Sequence, residues 1–238
     1  MTWNPVTGCD RVSAGCDNCY ALALANRLKA MGSPRYQNDG NPVTSGPGFA
    51  LTMHEDLLDQ PKQWRQPRVV FVNSMSDLFH ANVTIDFIRR VFETIASTPQ
   101  HTYQILTKRS LRLRRFAREL DWPPNLWMGV SVECADVLYR VDHLRDVPAA
   151  VRFLSCEPLL GSLEGIDLTG IKWVIAGGES GPNYRPMELS WARDLRDACV
   201  HSGTPFFFKQ WGGPRPKANG RSLDGRQWDE MPSTDQTG

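Results

Sequence analysis

The sequence predicts an α/β fold: a single (β/α) barrel, complete or partial, of the TIM type. Three observations predict it. Short apolar runs alternate with amphipathic stretches along most of the 238 residues, the order expected where parallel strands are joined by helical crossovers. The runs number seven or eight, enough to curl a parallel sheet into a barrel or much of one. Polar residues close one run after another, as they do where strand ends converge on a single mouth.

The strand candidates, in order, are residues 49–53, 68–74, 102–107, 126–132, 151–155, 173–177 and 204–209, with residues 2–6 as a further one. Each is short, apolar and rich in β-branched or aromatic residues. Helices are predicted between them. Residues 20–32 read as the first. After Thr84, apolar residues recur at Ile85, Ile88, Phe92 and Ile95, which is helical spacing. Ser110 is a candidate N-cap for a helix turning Leu113, Phe116 and Leu120 inward. Residues 136–147 and 188–202 complete the set, the last stopped by Gly203. In that helix Trp191, Leu195 and Cys199 form an i, i+4, i+8 stripe, which assigns Cys199 to the core. Residues 33–48 form a Gly/Pro-rich loop long enough to be a lid or a binding loop. The barrel is expected over residues 1–212. Residues 213–238 are polar and Gly/Pro-rich and are expected to be a poorly ordered tail.

Composition narrows the function. With 41% hydrophobic and 22% charged residues, the chain is long enough to bury a core without staples. A net charge of +1 gives no global pull toward nucleic acid, so any such affinity must come from a local patch. No apolar run approaches the roughly 18 residues of a membrane span, and the opening residues carry neither a charged n-region nor an apolar h-region. The expected location is cytoplasmic, with no membrane partner. In a reducing compartment, clustered cysteines point to metal or catalysis rather than to disulfides.

Three cysteines fall within nineteen residues: Cys9, then Cys16 and Cys19. Cys16-x2-Cys19 puts two thiols on one turn, and Cys9 can fold back across residues 11–15. Cys19 lies at the start of a helix, where free N–H groups and the dipole favour thiolate. Three ligands leave one position open for chemistry, whereas a fourth ligand such as His54 or His80 would close a structural zinc site. Spacing alone leaves zinc and iron–sulfur both open.

The strand ends supply the next set of candidates. Asp77, Lys108, Glu133, Cys134, Cys156, Glu157, the run Gly177-Gly178-Glu179-Ser180, and Lys209 with Gln210 each follow a predicted strand. In a barrel they would surround one pocket together with the cysteines. Gly177 and Gly178 would let a ligand approach the backbone, and Glu179 offers a carboxylate to an amine; a plain turn after a strand is the alternative. Cys134 and Cys156 are either core thiols or, at a mouth, hydrogen-atom donors or metal ligands. The run from Lys108 to Arg118 carries six cations in eleven residues; it reads as a phosphate-binding stretch or as a solvated helix face. P-loop, HExxH and GxSxG motifs are absent from the sequence.

The segments Trp3-Asn4-Pro5-Val6-Thr7-Gly8-Cys9, Ser13-x-Gly15-Cys16-x2-Cys19-Tyr20, Asn73-Ser74-Met75-Ser76-Asp77-Leu78-Phe79, residues 173–182 (Trp-Val-x-Ala-Gly-Gly-Glu-Ser-Gly-Pro) and residues 205–212 (Pro-Phe-Phe-Phe-Lys-Gln-Trp-Gly) together resemble one family. It is the phage-associated three-cysteine family of unknown function, similar to the radical S-adenosylmethionine (SAM) proteins. The resemblance covers residues 1 to about 212 and implies a radical-SAM-like barrel. It further implies a [4Fe-4S] cluster on Cys9, Cys16 and Cys19, with SAM bound at the open iron and cleaved to a radical. Gly177-Gly178-Glu179 resembles the element that contacts the SAM amine, with Asp77 or Glu133 as alternatives for that role. The first cysteine gap is six residues where that superfamily has three, and the aromatic residue, Tyr20, follows the last cysteine instead of preceding it.

The expected function is therefore a radical SAM-type enzyme. Cys9, Cys16 and Cys19 would bind metal. Gly177, Gly178, Glu179, Asp77 and Glu133 would bind cofactor, and Cys134, Cys156, Glu157, Lys108 and Lys209 are the candidate catalytic residues. A nucleotide or nucleic-acid base is the leading substrate class. Two alternatives stand beside it: a non-catalytic protein that binds nucleic acid or a partner protein and has a structural Zn or Fe–S site, and a zinc-dependent barrel hydrolase.

Overall fold

A computed structural model describes residues 1–233 of the chain. Its strands are β1 (Thr2–Trp3), β2 (Val6–Thr7), β3 (Thr52–Met53), β4 (Val69–Val72), β5 (Thr102–Thr107), β6 (Leu126–Ser131), β7 (Val151–Cys156), β8 (Trp173–Gly177), β9 (Phe206–Gln210), β10 (Ser222–Leu223) and β11 (Arg226–Gln227). Its α-helices are α1 (Tyr20–Ala30), α2 (Ile85–Ala96), α3 (Ser110–Phe116), α4 (Tyr139–Arg145) and α5 (Leu189–Ser202).

Seven strands form one parallel sheet in the order β1-β4-β5-β6-β7-β8-β9. Spatial order follows chain order without reversal. A doubly wound sheet reverses at a switch point and carries helices on both faces; a sheet that always adds its next strand on the same side keeps its helices on one face and curls about the other. The expected (β/α) barrel is thus present in its partial, TIM-like form, a half-barrel with β1 and β9 at its two edges. One strand assignment changes. Residues 49–53 do not enter the barrel: only Thr52–Met53 is extended, and it pairs antiparallel with β2 outside the main sheet. The seventh barrel strand is instead β1, from the opening residues.

Period-2 alternation sorts the side chains into two layers. Trp3, Val70, Val72, Tyr103, Ile105, Met128, Val130, Leu154, Val174, Phe206 and Phe208 belong to the main core cluster. There they meet Phe87, Ile88, Val91, Phe92 and Ile95 of α2, Val141 and Leu144 of α4, and Ala192, Leu195 and Cys199 of α5. Residues of the opposite parity, Leu106, Trp127, Val151, Phe153, Trp173, Ile175 and Phe207, form a separate cluster on the concave face. Gly129 belongs to this layer, and a Cβ there would lie 2.4 Å from the Phe153 ring. The missing side chain is what lets Phe153 fill the concave floor.

The helix ends follow their sequence signals. Thr84 caps α2, its hydroxyl accepting from the Phe87 N–H at 3.3 Å. Gly203 closes α5 at φ 68°, the left-handed conformation glycine adopts without cost. Ser110 is the first residue of α3, not its cap, and its hydroxyl is bonded to His143 Nδ1 at 2.9 Å.

Residues 213–233 are folded, contrary to the expectation of a poorly ordered tail; residues 234–238 lie outside the described part. β10 and β11 form an antiparallel hairpin. Leu223 and Trp228 enter the main core. Phe208 N–H donates to Trp228 O at 2.9 Å and Glu230 N–H to Phe206 O at 3.2 Å, so this segment pairs with the outer edge of β9. The signal in the sequence was apolar rather than periodic: one Leu and one Trp in a polar stretch suffice to dock it. No helix among the described residues is long and apolar enough to cross a membrane.

Candidate functional site

The cysteine loop begins where the chain leaves β1 and β2 and crosses the C-terminal end of β4. Gly8 N–H donates to Met75 O at 3.0 Å. Gly8 has φ 84°, and a Cβ there would lie 2.2 Å from Ala50 O, so only glycine passes between these two backbones. Beyond it come Cys9, a 3-10 turn at Ala14–Cys16, and Cys19 at the N-cap of α1. Cys16 N–H donates to Ser13 O at 2.9 Å and Cys19 N–H to Cys16 O at 3.3 Å, so two successive turns carry the last two thiols.

All three thiols are free and half-buried. Cys9 and Cys19 pack on a small apolar cluster of Ala21, Ala25, Phe49 and Met75. Burial, reinforced by the charge of Asp77 and by nearby Cys16, pushes the Cys9 thiol up to about 12, with Arg109 pulling the other way. Arg109 Nη2 lies 3.8 Å from Cys9 Sγ and donates to Asp10 O at 3.0 Å. Its Nε is buried without a hydrogen-bond partner. That Nε lies 3.9 Å from Asp77 Oδ2, so one guanidinium stands between the first thiol and the buried carboxylate. Among the described residues, no three His, Cys, Asp or Glu side chains are drawn together closely enough to share one ion.

Three of the four strand-end carboxylates, Asp77, Glu133 and Glu179, are engaged around the cysteine loop. Asp77 is buried and accepts from the Thr107 hydroxyl at 2.7 and 2.9 Å, from Phe79 N–H at 2.9 Å and from Lys108 N–H at 3.1 Å. Glu133 receives the Ser13 hydroxyl on Oε1 and Arg140 Nη1 on Oε2 at 2.7 Å. Arg140 also donates to Ser131 O at 2.9 Å. A Cβ on Gly15 would lie 2.5 Å from Glu133 Cγ, so the cysteine loop rests directly on this side chain. Glu179 receives Arg185 Nη2 on Oε1 at 2.6 Å, and Arg185 Nε, Arg185 N–H and Asn18 Nδ2 on Oε2 at 3.0, 2.8 and 2.9 Å. Burial would raise the Glu179 carboxyl, but these hydrogen bonds and the Arg185 charge outweigh it and hold it below the usual carboxylate value.

The glycines beside Glu179 have a packing role. A Cβ on Gly178 would lie 2.0 Å from Trp211 O, and one on Gly212 would lie 2.1 Å from Glu179 O. One on Gly177 would meet Glu157 Oε2 at 3.0 Å. The 177–180 and 211–213 backbones therefore cross in contact, joined by Gly213 N–H to Glu179 O at 2.9 Å and Gly178 N–H to Gln210 O at 2.9 Å.

Lys108 is half-buried, and its Nζ donates to the Ser131 hydroxyl at 3.1 Å. Lys209 pairs with Glu157 at 2.9 Å on the concave side of β7 and β9. The two remaining candidates go elsewhere. Cys134 and Cys156 share the parity of Val132 and Leu154 and pack with the main core between sheet and helices. Cys156 has no exposed surface, and burial next to Cys199, Glu157 and Glu133 raises its thiol well above the ordinary value. Cys156 is therefore a core thiol, whereas Cys134 lies half-buried at the edge of the same core. The expected core position of Cys199 is observed.

Neither histidine weighed as a fourth ligand is free. His80 Nε2 is bonded to Asp10 Oδ2 at 2.8 Å while its Nδ1 accepts Asn82 N–H, and His54 Nε2 is bonded to the Thr7 hydroxyl at 2.8 Å. The basic run is dispersed: Lys108 and Arg109 turn into the mouth, Arg112 donates to Ala81 O and Val83 O, and Arg114 pairs with Asp146 at 2.6 Å. Arg114, Arg115 and Arg118 are the exposed residues of the run.

Sequence reasoning missed Arg140, Arg185, Asn18 and the role of Arg109. Arg140 was detectable, since it shares the inward face of its helix with Val141 and Leu144. An arginine in an apolar stripe calls for a buried carboxylate. Arg185 sits in an irregular segment whose path no local pattern gives.

Comparisons with known proteins add the following. Three solved structures resemble the fold. A spore photoproduct lyase complexed with dinucleoside spore photoproduct is 14% identical with a TM-score of 0.46, covering 82% of this chain and 59% of its own. A mutant of spore photoproduct lyase with bound AdoMet and dinucleoside spore photoproduct is 14% identical with a TM-score of 0.48, covering 83% and 60%. A second mutant is 13% identical with a TM-score of 0.47. The chain thus spans about three-fifths of these proteins' length. No curated protein matches. A family model does, over residues 1–232, and the chain accordingly belongs to the family described as protein of unknown function (DUF5131).

Proposed function

We propose that this protein is a radical SAM-type enzyme in which Cys9, Cys16 and Cys19 hold a [4Fe-4S] cluster and SAM binds beside it. The observation that carries the reading is the cysteine loop itself. It lies across the C-terminal ends of a parallel half-barrel, the face on which such folds carry their active sites. Two strand-end carboxylates tie it down, and the Arg109 guanidinium, ion-paired with Asp77, flanks its first thiol. Three thiols with no histidine free to join them suit a centre that keeps one position open. The thiols would close around the metal as it binds, and Cys9 would give up its proton in doing so.

When bound and reduced, the cluster supplies the electron that cleaves SAM to an organic radical. The chain's own residues do the remaining work. Arg109 offsets the negative charge gathered near Cys9. Lys108, whose ammonium has the Ser131 hydroxyl as partner, offers its charge to an anionic group. Glu157 and Lys209 present opposite charges on the same concave face. These cations support a substrate that carries phosphate, with a nucleotide or nucleic-acid base as the reactive part, in a cytoplasmic setting that keeps the thiols reduced.

The test is metal identity followed by turnover. Protein purified without oxygen and reconstituted is expected to hold iron and acid-labile sulfide, lost in Cys16→Ala, and to release 5′-deoxyadenosine when given reductant and SAM. Stoichiometric zinc without iron would overturn the reading in favour of a zinc site.

A further inference from the structure

We infer that the Glu179–Arg185 pair is a positioning latch for the cysteine loop, an inference that rests on the cluster assignment to Cys9, Cys16 and Cys19. Arg185 reaches both sides of Cys16: Nη2 donates to Ala14 O at 2.8 Å, and Nη1 lies 3.3 Å from Asp17 Oδ2. Asn18, between Cys16 and Cys19, spends its amide on the same carboxylate and on Asn183 O, each at 2.9 Å. Four contacts from one strand-end loop therefore fall on residues 14, 17 and 18, in the two turns that carry Cys16 and Cys19. The Glu179 carboxylate is the hub, since it orients Arg185 through a fork and Asn18 through a single bond.

The latch has a rigid base. Glu179 stands where the 177–180 backbone crosses the 211–213 backbone, with no room for a Cβ at Gly178 or Gly212. The run Gly177-Gly178-Glu179 and the run Trp211-Gly212-Gly213 thus form one device. The glycines set the position of the carboxylate, and the carboxylate sets the position of the loop. In this arrangement Glu179 acts through the loop, as a positioning residue, and its carboxylate is filled by protein donors.

The experiment compares the full chain with Arg185→Gln, Arg185→Lys and Asn18→Ala. Amide hydrogen exchange of the metal-free proteins reads the loop directly. Iron retained against a chelator after anaerobic loading with ferrous iron and sulfide reads the consequence. In Arg185→Gln, exchange across residues 14–18 should quicken by about tenfold and iron should be lost about tenfold faster, with strands β5–β7 protected as before. Arg185→Lys, which keeps the charge but not the fork, should resemble Arg185→Gln. Asn18→Ala should give a smaller change in the same direction, and it carries the test should the arginine variants fail to fold. Wild-type exchange and retention in Arg185→Gln, or full rescue by lysine, would overturn the latch. Loosened exchange in a protein whose wild type takes up no iron would leave the latch standing and remove the cluster.

Discussion

Two glutamate–arginine pairs hold the same loop, and they differ almost entirely in surroundings. Glu133–Arg140 spans 2.7 Å with side chains 1% and 2% exposed; Glu179–Arg185 spans 2.6 Å with side chains 5% and 35% exposed. The first joins a strand end to the helix that follows it and touches the loop at Ser13 and Gly15. The second is confined to the rim and touches the loop at residues 14, 17 and 18. Ion pairs of equal length can therefore do unequal work. A desolvated pair is costly to break because the surviving charge stays buried, whereas a partly hydrated one releases its arginine to water. The buried pair should fix the fold beneath the loop, and the rim pair should fix the loop alone.

The sharpest way to break the comparison is Arg140→Ala. It strands Glu133 in the interior and should cost about 3–5 kcal/mol in urea unfolding; a loss under about 1 kcal/mol would erase the distinction between the pairs. Gly178→Ala should come next, at about 1–3 kcal/mol, because its methyl group meets the backbone carbonyl of Trp211 in the crossing segment rather than a side chain that can swing away. It should also loosen residues 14–18 in hydrogen exchange, by shifting Glu179. Arg185→Gln should cost no more than about 1 kcal/mol of global stability, with its effect confined to the loop.

The smallest effect is one of pH. The Glu179 carboxyl is held below its ordinary value of 4.5 in the folded protein, so its contribution to stability is complete above that value and is lost as the pH falls through the folded value. The stability difference between wild type and Glu179→Gln should be largest near neutrality and should shrink as the solution is acidified below 4.5. A difference that grows on acidification would show that the carboxylate is not held by its cationic partner.

The two pairs also mark what could be read in advance. The parallel sheet was legible because buried strands are written locally as apolar runs, and β4 to β9 are all recovered within two residues at each end. Residues 49–53 misled because an apolar run states burial but not which sheet the strand joins. The three cysteines and the polar strand ends were legible as residue types. Their orientation was a question of parity: counting by twos from Leu154 and Val132 would have turned Cys156 and Cys134 toward the helices. The contacts of Glu179 were out of reach, since Asn18 and Glu179 lie 161 residues apart and nothing local encodes their meeting.

The hairpin of residues 222–230 bears on how the molecule is made. It supplies Trp228 and Glu230 as hydrogen-bonding partners for the outer edge of β9 and places Leu223 in the main core. During synthesis, then, the sheet is finished before its border is. For as long as residues 222–230 remain in the ribosome, Phe206 and Phe208 belong to a strand with one open side, the condition under which sheets recruit strands from other chains. A ribosome that stalls over this stretch would release a nearly complete half-barrel with an adhesive margin. Strand-to-strand aggregation is therefore the expected fate of any chain cut short before residue 222.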